Sequence, residues 1–333
     1  MRAARIESYG GPDVAQIVDL PLPVPGPGEV RVRVGFAGVN FMDIHTRQGK
    51  YRASRTYGIR APLTLGMEGA GIIDAIGAGV SGLRPGQRVA WCLVWGSYAD
   101  YAVVPASRLI LVPDALSLEA AAACTFHGLT AHYLVHDTAA LGSGESALVL
   151  AASGGIGQIL VQLGAAMGAR MFAVTSTADR ADRAMQQGAI DAFLYSDGGY
   201  AEAARAATDG IGVKVAFDPV GAPTLRHTLR AVRKRGLVVN FGSVGGSLSD
   251  LDPIDLGEAG SLFLTRPRLA DHIADADITR RRAADIFAMV LNGQLRIARD
   301  RTYPFDAFQE AHDALDKRRT RGKQLLRLAG ELD

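Results

Sequence analysis

The chain has 333 residues, of which 48% are hydrophobic and 21% are charged, a balance typical of a globular protein with material for more than one core. The formal net charge is only +2, so bulk charge does not indicate nucleic acid or an anionic membrane as a partner. The two cysteines, Cys92 and Cys124, exclude a disulfide framework and a four-cysteine zinc lobe, and they favour a reduced, cytoplasmic setting.

The chain up to about residue 115 predicts a β-rich region. The stretch EVRVRVGFAGV (29–39) alternates polar and apolar residues as a half-buried strand does, and further strand-like runs are broken by glycines. One of these runs carries both Trp91 and Trp95. From Leu118 an alanine-rich pattern, LEAAAACTFHGLTAHYLVH, predicts a helix.

From residue 147 onward, apolar runs alternate with helical segments, one of which spans 223–236. Nearly continuous apolar strands separated by helices predict a parallel sheet that is covered on both faces, and six of them predict a doubly wound dinucleotide fold. The predicted strands are 147–152, 171–176, 192–196, 213–220, 237–242 and 261–266. The first strand and its helix lie in an uncharged run (146–169) long enough to cross a bilayer, but its glycines and its change of period argue against a membrane span.

Two amphipathic helices, 280–295 and 305–319, follow the last predicted strand. Too few strands remain for a third domain, so we expect the tail to return to the N-terminal β-rich domain. The predicted domains are therefore a discontinuous catalytic domain, 1–120 with 267–333, and a nucleotide-binding domain, 121–266.

The turn after strand 147–152 carries a variant of the G-x-G-x-x-G fingerprint, with Ala152 at the first glycine position. Glycines in such a turn allow the backbone to approach a pyrophosphate, and the helix that follows offers free N–H groups and its positive end. The predicted pyrophosphate-binding residues are Ser153, Gly154, Gly155, Ile156 and Gly157.

The tip of the second parallel strand indicates NADPH rather than NADH. A carboxylate at this tip usually accepts a hydrogen bond from the ribose 2′-hydroxyl of NAD. Here the tip offers Ser176 and Thr177, with Arg180 one turn into the helix. Hydroxyl and guanidinium groups suit a 2′-phosphate. Asp179 is the opposing residue, and we expect it to lie at the helix start as a group that compensates the helix dipole.

The chain resembles the zinc-independent quinone oxidoreductases, the ζ-crystallin-like branch of the medium-chain dehydrogenase/reductase superfamily. The resemblance extends over nearly the whole chain. The motifs that carry it are GVNFMD (38–43), GMEGAG (66–71), GLTA (128–131), AASGGIG (151–157), FDPVG (217–221), VNFGS (239–243) and SLFLTRP (261–267).

The resemblance implies an α/β fold in which a GroES-like β-rich catalytic domain surrounds a Rossmann domain with a six-stranded sheet, and NADPH in the cleft between them. It further implies that Asn40 and Thr130 lie near the nicotinamide and that Tyr195 and Arg318 join Arg180 around the 2′-phosphate. The backbone expected on the other side of the nicotinamide is that of Phe241, Gly242, Ser243, Leu264 and Thr265. It also implies a homodimer formed through the last strand of the sheet.

The resemblance bears on metal binding as well. Zinc-dependent relatives have Cys at the position of Asn40 and His at that of Met67, and an amide and a thioether are poor replacements for thiolate and imidazole. We therefore expect no metal. Without a metal, hydride transfer relies on positioning of an electrophilic acceptor, and a quinone fits this best because its product oxyanion is stabilised by the ring.

Two alternatives stay open. An activated alkene, such as an enone or an enoyl thioester, needs a donor for its carbonyl oxygen, and Tyr51 and Tyr57 are the candidates, with Trp95 as an apolar substrate wall. The segment around these tyrosines is basic, which fits either an anionic substrate or a solvated loop. A non-catalytic NADPH- or RNA-binding protein is the remaining alternative, although the basic stretch KRRTRGKQLLR (317–327) has few aromatic residues for stacking on bases.

Overall fold

The computed structural model describes residues 1–197 and 199–328. Residues 329–333, the end of the predicted range 267–333, lie outside the described residues. The strands are β1 (Arg2–Ile6), β2 (Ala15–Asp19), β3 (Glu29–Val39), β4 (Leu63–Thr64), β5 (Glu68–Ile76), β6 (Arg88–Cys92), β7 (Tyr101–Pro105), β8 (Ile110–Leu111), β9 (Ser146–Leu150), β10 (Arg170–Thr175), β11 (Asp191–Leu194), β12 (Val213–Asp218), β13 (Val232–Asn240), β14 (Phe263–Thr265), β15 (Arg299–Pro304) and β16 (Lys323–Arg327). The α-helices are α1 (Phe41–Arg47), α2 (Leu118–Tyr133), α3 (Gly155–Ala166), α4 (Ala178–Gln186), α5 (Tyr200–Ala206), α6 (Leu225–Ala231), α7 (Pro253–Glu258), α8 (Leu269–His272), α9 (Ala276–Leu291) and α10 (Phe308–Asp316).

The chain divides into two compact units. Unit 1 comprises Met1–Leu129, Ile273–Gly293 and Ile297–Asp333, and unit 2 comprises Thr130–His272 and Gln294–Arg296. The catalytic and nucleotide-binding roles of ranges 1–120 with 267–333 and 121–266 remain predictions. No helix in the described part of the chain is long and apolar enough to cross a membrane.

Unit 1 joins the two ends of the chain in one sheet. Its larger sheet has the order β15-β16-β3-β5-β6-β8, with β7 also paired to β3, and β2-β1-β4 form a second sheet. The C-terminal strand β16 runs antiparallel to β3, with Gln324 opposite Val39. Alternate residues of β3, such as Val30, Val32 and Val34, are fully buried, as the period of a strand with one buried face requires.

Unit 2 contains a six-stranded sheet in the order β11-β10-β9-β12-β13-β14. All its pairings are parallel, and the order is that of a doubly wound dinucleotide fold, which confirms the prediction. Its inner strands are nearly continuous apolar runs because helices cover both faces. The switch point of the sheet lies between β9 and β12, where ligands of such folds bind.

Three local predictions from the sequence are wrong. The predicted helix 223–236 ends at Ala231, and β13 begins at Val232, because pairing with β12 outweighs local helix propensity. Trp95 does not share a strand with Trp91, because β6 ends at Cys92 and Leu93 takes a left-handed φ of 58°. Arg318 lies beyond α10 rather than in it, with its own φ at 55°.

Candidate active site

The glycine turn of unit 2 leads directly from β9 into α3. Gly154 is the residue that precedes the helix, in an extended conformation, and its N–H donates to the carbonyl of Ala151 over 2.8 Å. A Cβ on Gly157 would overlap the Ala151 carbonyl oxygen, so helix and strand approach closely only with glycine there. The N–H groups of Gly155, Ile156 and Gly157 open the helix and form its positive end. This cradle fits a pyrophosphate.

The tip of β10 carries the residues predicted to bind the 2′-phosphate on the cofactor's ribose. Thr177 is the residue that precedes α4, and its hydroxyl accepts from the Arg180 backbone N–H at 3.4 Å. The Arg180 guanidinium donates to the Ser176 hydroxyl, also at 3.4 Å. Asp179, the carboxylate that opposed NADPH, forms an ion pair with Arg183 one turn further along the helix. The tip therefore combines hydroxyl and guanidinium groups, while its carboxylate is engaged by another cation.

Tyr195 connects the end of β11 to the glycine turn. Its hydroxyl accepts a hydrogen bond from the Ala151 N–H at 2.8 Å, so it lies beside the predicted pyrophosphate cradle. Arg318, its predicted partner at the 2′-phosphate, belongs to unit 1 and is exposed.

The segment after β12 is fixed by a carboxylate whose role the sequence did not reveal. Asp218 is fully buried. One of its oxygens accepts from the N–H groups of Val220 and Gly221, at 2.8 and 3.0 Å. The other accepts from the hydroxyls of Thr224 and Thr228, at 2.8 and 3.0 Å. Its place at the end of a strand in FDPVG was the available signal, because a short polar side chain at that point can hydrogen-bond to the backbone of the turn that follows.

The predicted nicotinamide-side residues of unit 2 lie at the carboxyl ends of its last two strands and on α2. The backbone N–H of Phe241 donates to the Asp218 carbonyl at 3.0 Å, and Gly242 and Ser243 continue the same loop. Leu264 and Thr265 pair with β13, and Thr130 is buried within α2. The turn anchored by Asp218 thus holds the Phe241 loop at the sheet edge where such folds bind ligands.

In unit 1, Asn40 lies in a buried polar cluster. It precedes α1 and is 3% exposed. Its amide oxygen accepts from Lys323 Nζ at 2.6 Å, and its amide nitrogen donates to Glu68 Oε2 at 3.1 Å. The Lys323 ammonium also contacts Glu68 Oε2 at 2.6 Å, and the backbone N–H of Phe126 donates to Glu68 Oε1 at 2.6 Å.

The Asp43 carboxylate accepts hydrogen bonds from the backbone of Asn40 and Met67, the two positions at which zinc-dependent relatives carry Cys and His. Its Oδ2 accepts from the Asn40 N–H at 2.9 Å, and its Oδ1 accepts from the Met67 N–H at 3.1 Å. The Tyr98 hydroxyl also donates to Oδ2, at 3.3 Å. Burial raises the pKa of Asp43 from 3.8 to about 7, partly offset by its hydrogen bond from Asn40 and by the charge of Lys323.

These residues do not fit a metal ion. Asn40 and Met67 offer an amide and a thioether, and both oxygens of Glu68 are already bonded. Burial raises the pKa of the Cys92 and Cys124 thiols, so neither supplies a thiolate. Within the described residues, no group of three or more His, Cys, Asp or Glu side chains is arranged to hold a metal.

The predicted substrate residues Tyr51 and Tyr57 belong to a row of rings that begins with His45 on α1. His45 and Tyr51 lie 6.2 Å apart between ring centroids, and Tyr51 meets Tyr57 edge to face at 5.4 Å. Burial, with the charge of Lys50, lowers the pKa of His45 to about 4, so its imidazole is neutral near pH 7. Trp95 is half-buried in the loop after β6.

Comparison with known proteins identifies the family. The model of the alcohol dehydrogenase GroES-like domain matches residues 26–114, and the model of the zinc-binding dehydrogenase domain matches residues 155–269. Quinone oxidoreductase 1 of Escherichia coli is 33% identical over 97% of this chain and 99% of its own. A 2-haloacrylate reductase of a Burkholderia species is 34% identical over 97% and 98%.

Solved structures agree with the sequence comparison. The crystal structure of E. coli quinone oxidoreductase complexed with NADPH matches with a TM-score of 0.92 and 31% identity, over 98% of this chain and all of the other. With its parallel six-stranded sheet, its GroES-like region and the motifs of both units, the chain belongs to the quinone oxidoreductase branch of the medium-chain dehydrogenase/reductase superfamily.

Proposed function

We propose that this protein is an NADPH-dependent oxidoreductase that transfers hydride to a quinone without a metal ion. The observation that carries the proposal is the tip of β10, where Arg180 contacts Ser176 while Asp179 is paired with Arg183. The E. coli relative whose structure contains NADPH supports the same cofactor. When bound, NADPH supplies the hydride from the nicotinamide.

The contribution of the chain is binding and orientation. The first N–H groups of α3 hold the pyrophosphate, and Ser176, Thr177 and Arg180 hold the 2′-phosphate, with Tyr195 and Arg318 as further proposed contacts. Thr130 and the backbone from Phe241 to Ser243 and at Leu264–Thr265 orient the nicotinamide. Asn40 is a proposed catalytic residue near the nicotinamide, and its amide is held in place by Lys323 and Glu68. The hydroquinone oxyanion takes its proton from water. If the acceptor is an activated alkene, Tyr51 is the proposed donor to its carbonyl oxygen.

The primary test is NADPH oxidation with 1,4-benzoquinone and 9,10-phenanthrenequinone, each with and without a chelator. We expect turnover with NADPH, slower turnover with NADH, and no effect of the chelator. Binding of NADPH without turnover of any acceptor would contradict the proposal and favour the non-catalytic NADPH- or RNA-binding role.

A second candidate function is reduction of an activated alkene such as an enone, an enoyl thioester or a 2-haloacrylate. The 2-haloacrylate reductase relative supports it, and so does the charge of the segment between Asp43 and Glu68. That segment contains no acidic residue, and Arg52, Arg55 and Arg60 are exposed in it. An anionic acceptor is expected to be attracted there.

This candidate is separated from the first by changing the three arginines to alanine together. If the acceptor is a carboxylate, its KM rises at least tenfold, while KM for the uncharged 1,4-benzoquinone stays within twofold. A control triple variant removes three other exposed arginines of unit 1, Arg84, Arg281 and Arg319. Equal effects of the two triple variants would argue against specific recognition.

We further propose a cytoplasmic homodimer in which two copies pair through β14. This strand ends the strand order of its sheet, and Phe263 on it is 62% exposed, a combination that invites pairing with another chain. Phe263→Asp should convert the dimer to a monomer in light scattering. Ile211→Asp, at an equally exposed apolar residue of unit 2, should not. The two free, buried cysteines are consistent with a reducing compartment.

A further inference from the structure

We infer that Lys323 is a positioning residue whose ammonium holds Asn40 and Glu68 together, so that a tethered cation organises the region where zinc-dependent relatives carry metal ligands. Lys323 lies 283 residues from Asn40 in sequence. The pairing of β16 with β3 brings the two together, because Gln324 lies opposite Val39.

The cluster is closed to solvent. The side chains of Lys323 and Glu68 are both 0% exposed. A Cβ on Gly38 would overlap Glu68 Oε2, so the close approach of β3 to this carboxylate needs glycine. A buried charge is tolerated only when it is paired and its remaining hydrogen-bonding capacity is used. Here Lys323 is paired with Glu68 and donates to Asn40, and Glu68 also accepts from Asn40 and from the Phe126 N–H.

The arrangement fixes which way the Asn40 amide faces. The Lys323 ammonium can only donate and the Glu68 carboxylate can only accept. The amide oxygen of Asn40 must therefore face Lys323, and its nitrogen must face Glu68, as the contacts at 2.6 and 3.1 Å have it. Loss of either charged partner removes one of the contacts that set this orientation, and the Gly38 carbonyl, which accepts from the amide nitrogen at 3.4 Å, remains.

The same carboxylate also holds helix α2. The Phe126 N–H lies in the interior of α2, and it donates to Glu68 Oε1 at 2.6 Å. Thr130 is four residues further along the same helix, one turn away. Lys323 thus acts through Glu68 on the helix that carries Thr130, and directly on Asn40.

The test is a double-mutant cycle of Lys323→Met, Glu68→Gln and the double variant, with Lys317→Met as the control. Lys317 forms an exposed ion pair with Asp313. We expect each single variant of the buried pair to lower the unfolding midpoint strongly. Each should also lower kcat by a larger factor than it changes KM. The double variant should be more stable than either single variant, because neither charge is then left buried alone. Lys317→Met should leave the unfolding midpoint, kcat and KM unchanged.

The pH dependence of stability distinguishes this ion pair from simple packing. In Lys323→Met the unpaired Glu68 carboxylate takes up a proton on folding, so stability relative to the parent falls as the pH rises. In Glu68→Gln the unpaired Lys323 releases a proton on folding, so relative stability rises with pH. The double variant should track the parent. The other titratable groups facing the pair are Asp43 on α1, Cys92 on β6, Tyr98, and Cys124 and His127 on α2, and they are common to all variants.

Slopes of opposite sign in the two single variants, cancelled in the double variant, are the expected result. Additive effects without cancellation, or single variants that behave like the parent, would overturn the inference. If a single variant does not fold, recovery of folding in the double variant supports it, and no recovery contradicts it. The stability measurements do not depend on the acceptor, so they stand apart from the test of the proposed function.

Discussion

Arg47 and His312 are in direct contact although 265 residues separate them, with Nη1 of Arg47 donating to Nδ1 of His312 at 3.2 Å. Arginine has only donors, so Nδ1 must accept and the imidazole proton lies on Nε2. Nε2 then donates to the Tyr98 hydroxyl at 3.3 Å, and Tyr98 donates to Asp43. The direction of every hydrogen bond from Arg47 to Asp43 is thereby determined.

This chain of hydrogen bonds predicts how variants of His312 behave. Glutamine offers one acceptor and one donor group and can satisfy both neighbours, so His312→Gln should cost about 1 kcal/mol of unfolding free energy. His312→Leu leaves the buried Arg47 and Tyr98 without this partner and should cost about 3 kcal/mol. Urea unfolding monitored by circular dichroism measures both. Equal losses in the two variants would show that packing volume, rather than hydrogen bonding, determines the role of His312.

The pH dependence of stability follows from two groups in this chain that act in opposite directions. The pKa of Asp43 is raised to about 7 by burial, so the folded state binds its proton more tightly than the unfolded chain. Between about pH 4 and 7 its contribution to stability therefore falls as the pH rises. Burial, with the charge of Arg47, lowers the pKa of His312 from 6.5 to about 3, so its contribution rises with pH between those values.

We therefore expect each variant, compared with the parent, to show the loss of the slope that belongs to the group it removes. Relative to the parent, Asp43→Asn should gain stability as the pH rises from 4 to 7, and His312→Gln should lose it over the same range. Thermal unfolding midpoints at half-unit pH intervals measure these differences, and subtraction of the parent curve removes the other titrating groups. Parallel curves for parent and variants would contradict the prediction.

The cofactor preference depends on Arg180. Removal of a charge-assisted contact to a phosphate costs about 1.5–3 kcal/mol, so Arg180→Ala should raise KM for NADPH by about tenfold to hundredfold and leave KM for NADH nearly unchanged. The control is Arg230→Ala, an exposed arginine of unit 2 that lies on α6 and pairs with Glu202. It should leave NADPH binding close to that of the parent. A preference for NADPH that survives in Arg180→Ala would assign the 2′-phosphate to other residues.

Two glycine variants of α3 should separate an effect on cofactor binding from an effect on stability. Gly157→Ala pushes a methyl group against the Ala151 carbonyl and the Ala152 Cα, which are backbone atoms rather than the end of a flexible side chain. We expect the Kd for NADPH to rise at least tenfold by fluorescence titration. Gly164→Ala, on the same helix, meets only the flexible side chain of Met171 and serves as the control. It should cost stability through overpacking, about 1–3 kcal/mol, yet leave the Kd for NADPH unchanged.

The periodic part of the fold was predictable because its information is local. Apolar runs that alternate with helical segments predicted the parallel sheet of unit 2, and the observed strand order agrees. The glycine turn was recognised for the same reason, since its spacing relative to one strand and one helix lies within a few residues. Predictions failed where pairing with a distant strand decided the local conformation, as at Val232, where β13 begins.

The sequence by itself determined that unit 2 carries a dinucleotide fold and that Asn40 and Met67 replace the side chains a metal would need. Only the tertiary structure showed that these positions are held by Asp43 and that Asn40 is bonded to Lys323 and Glu68. Lys323, His312 and Arg47 resemble solvated residues in a linear sequence. Each is buried because strand pairing or helix packing brings it to a partner far along the chain, where a complementary donor or acceptor compensates for the loss of water.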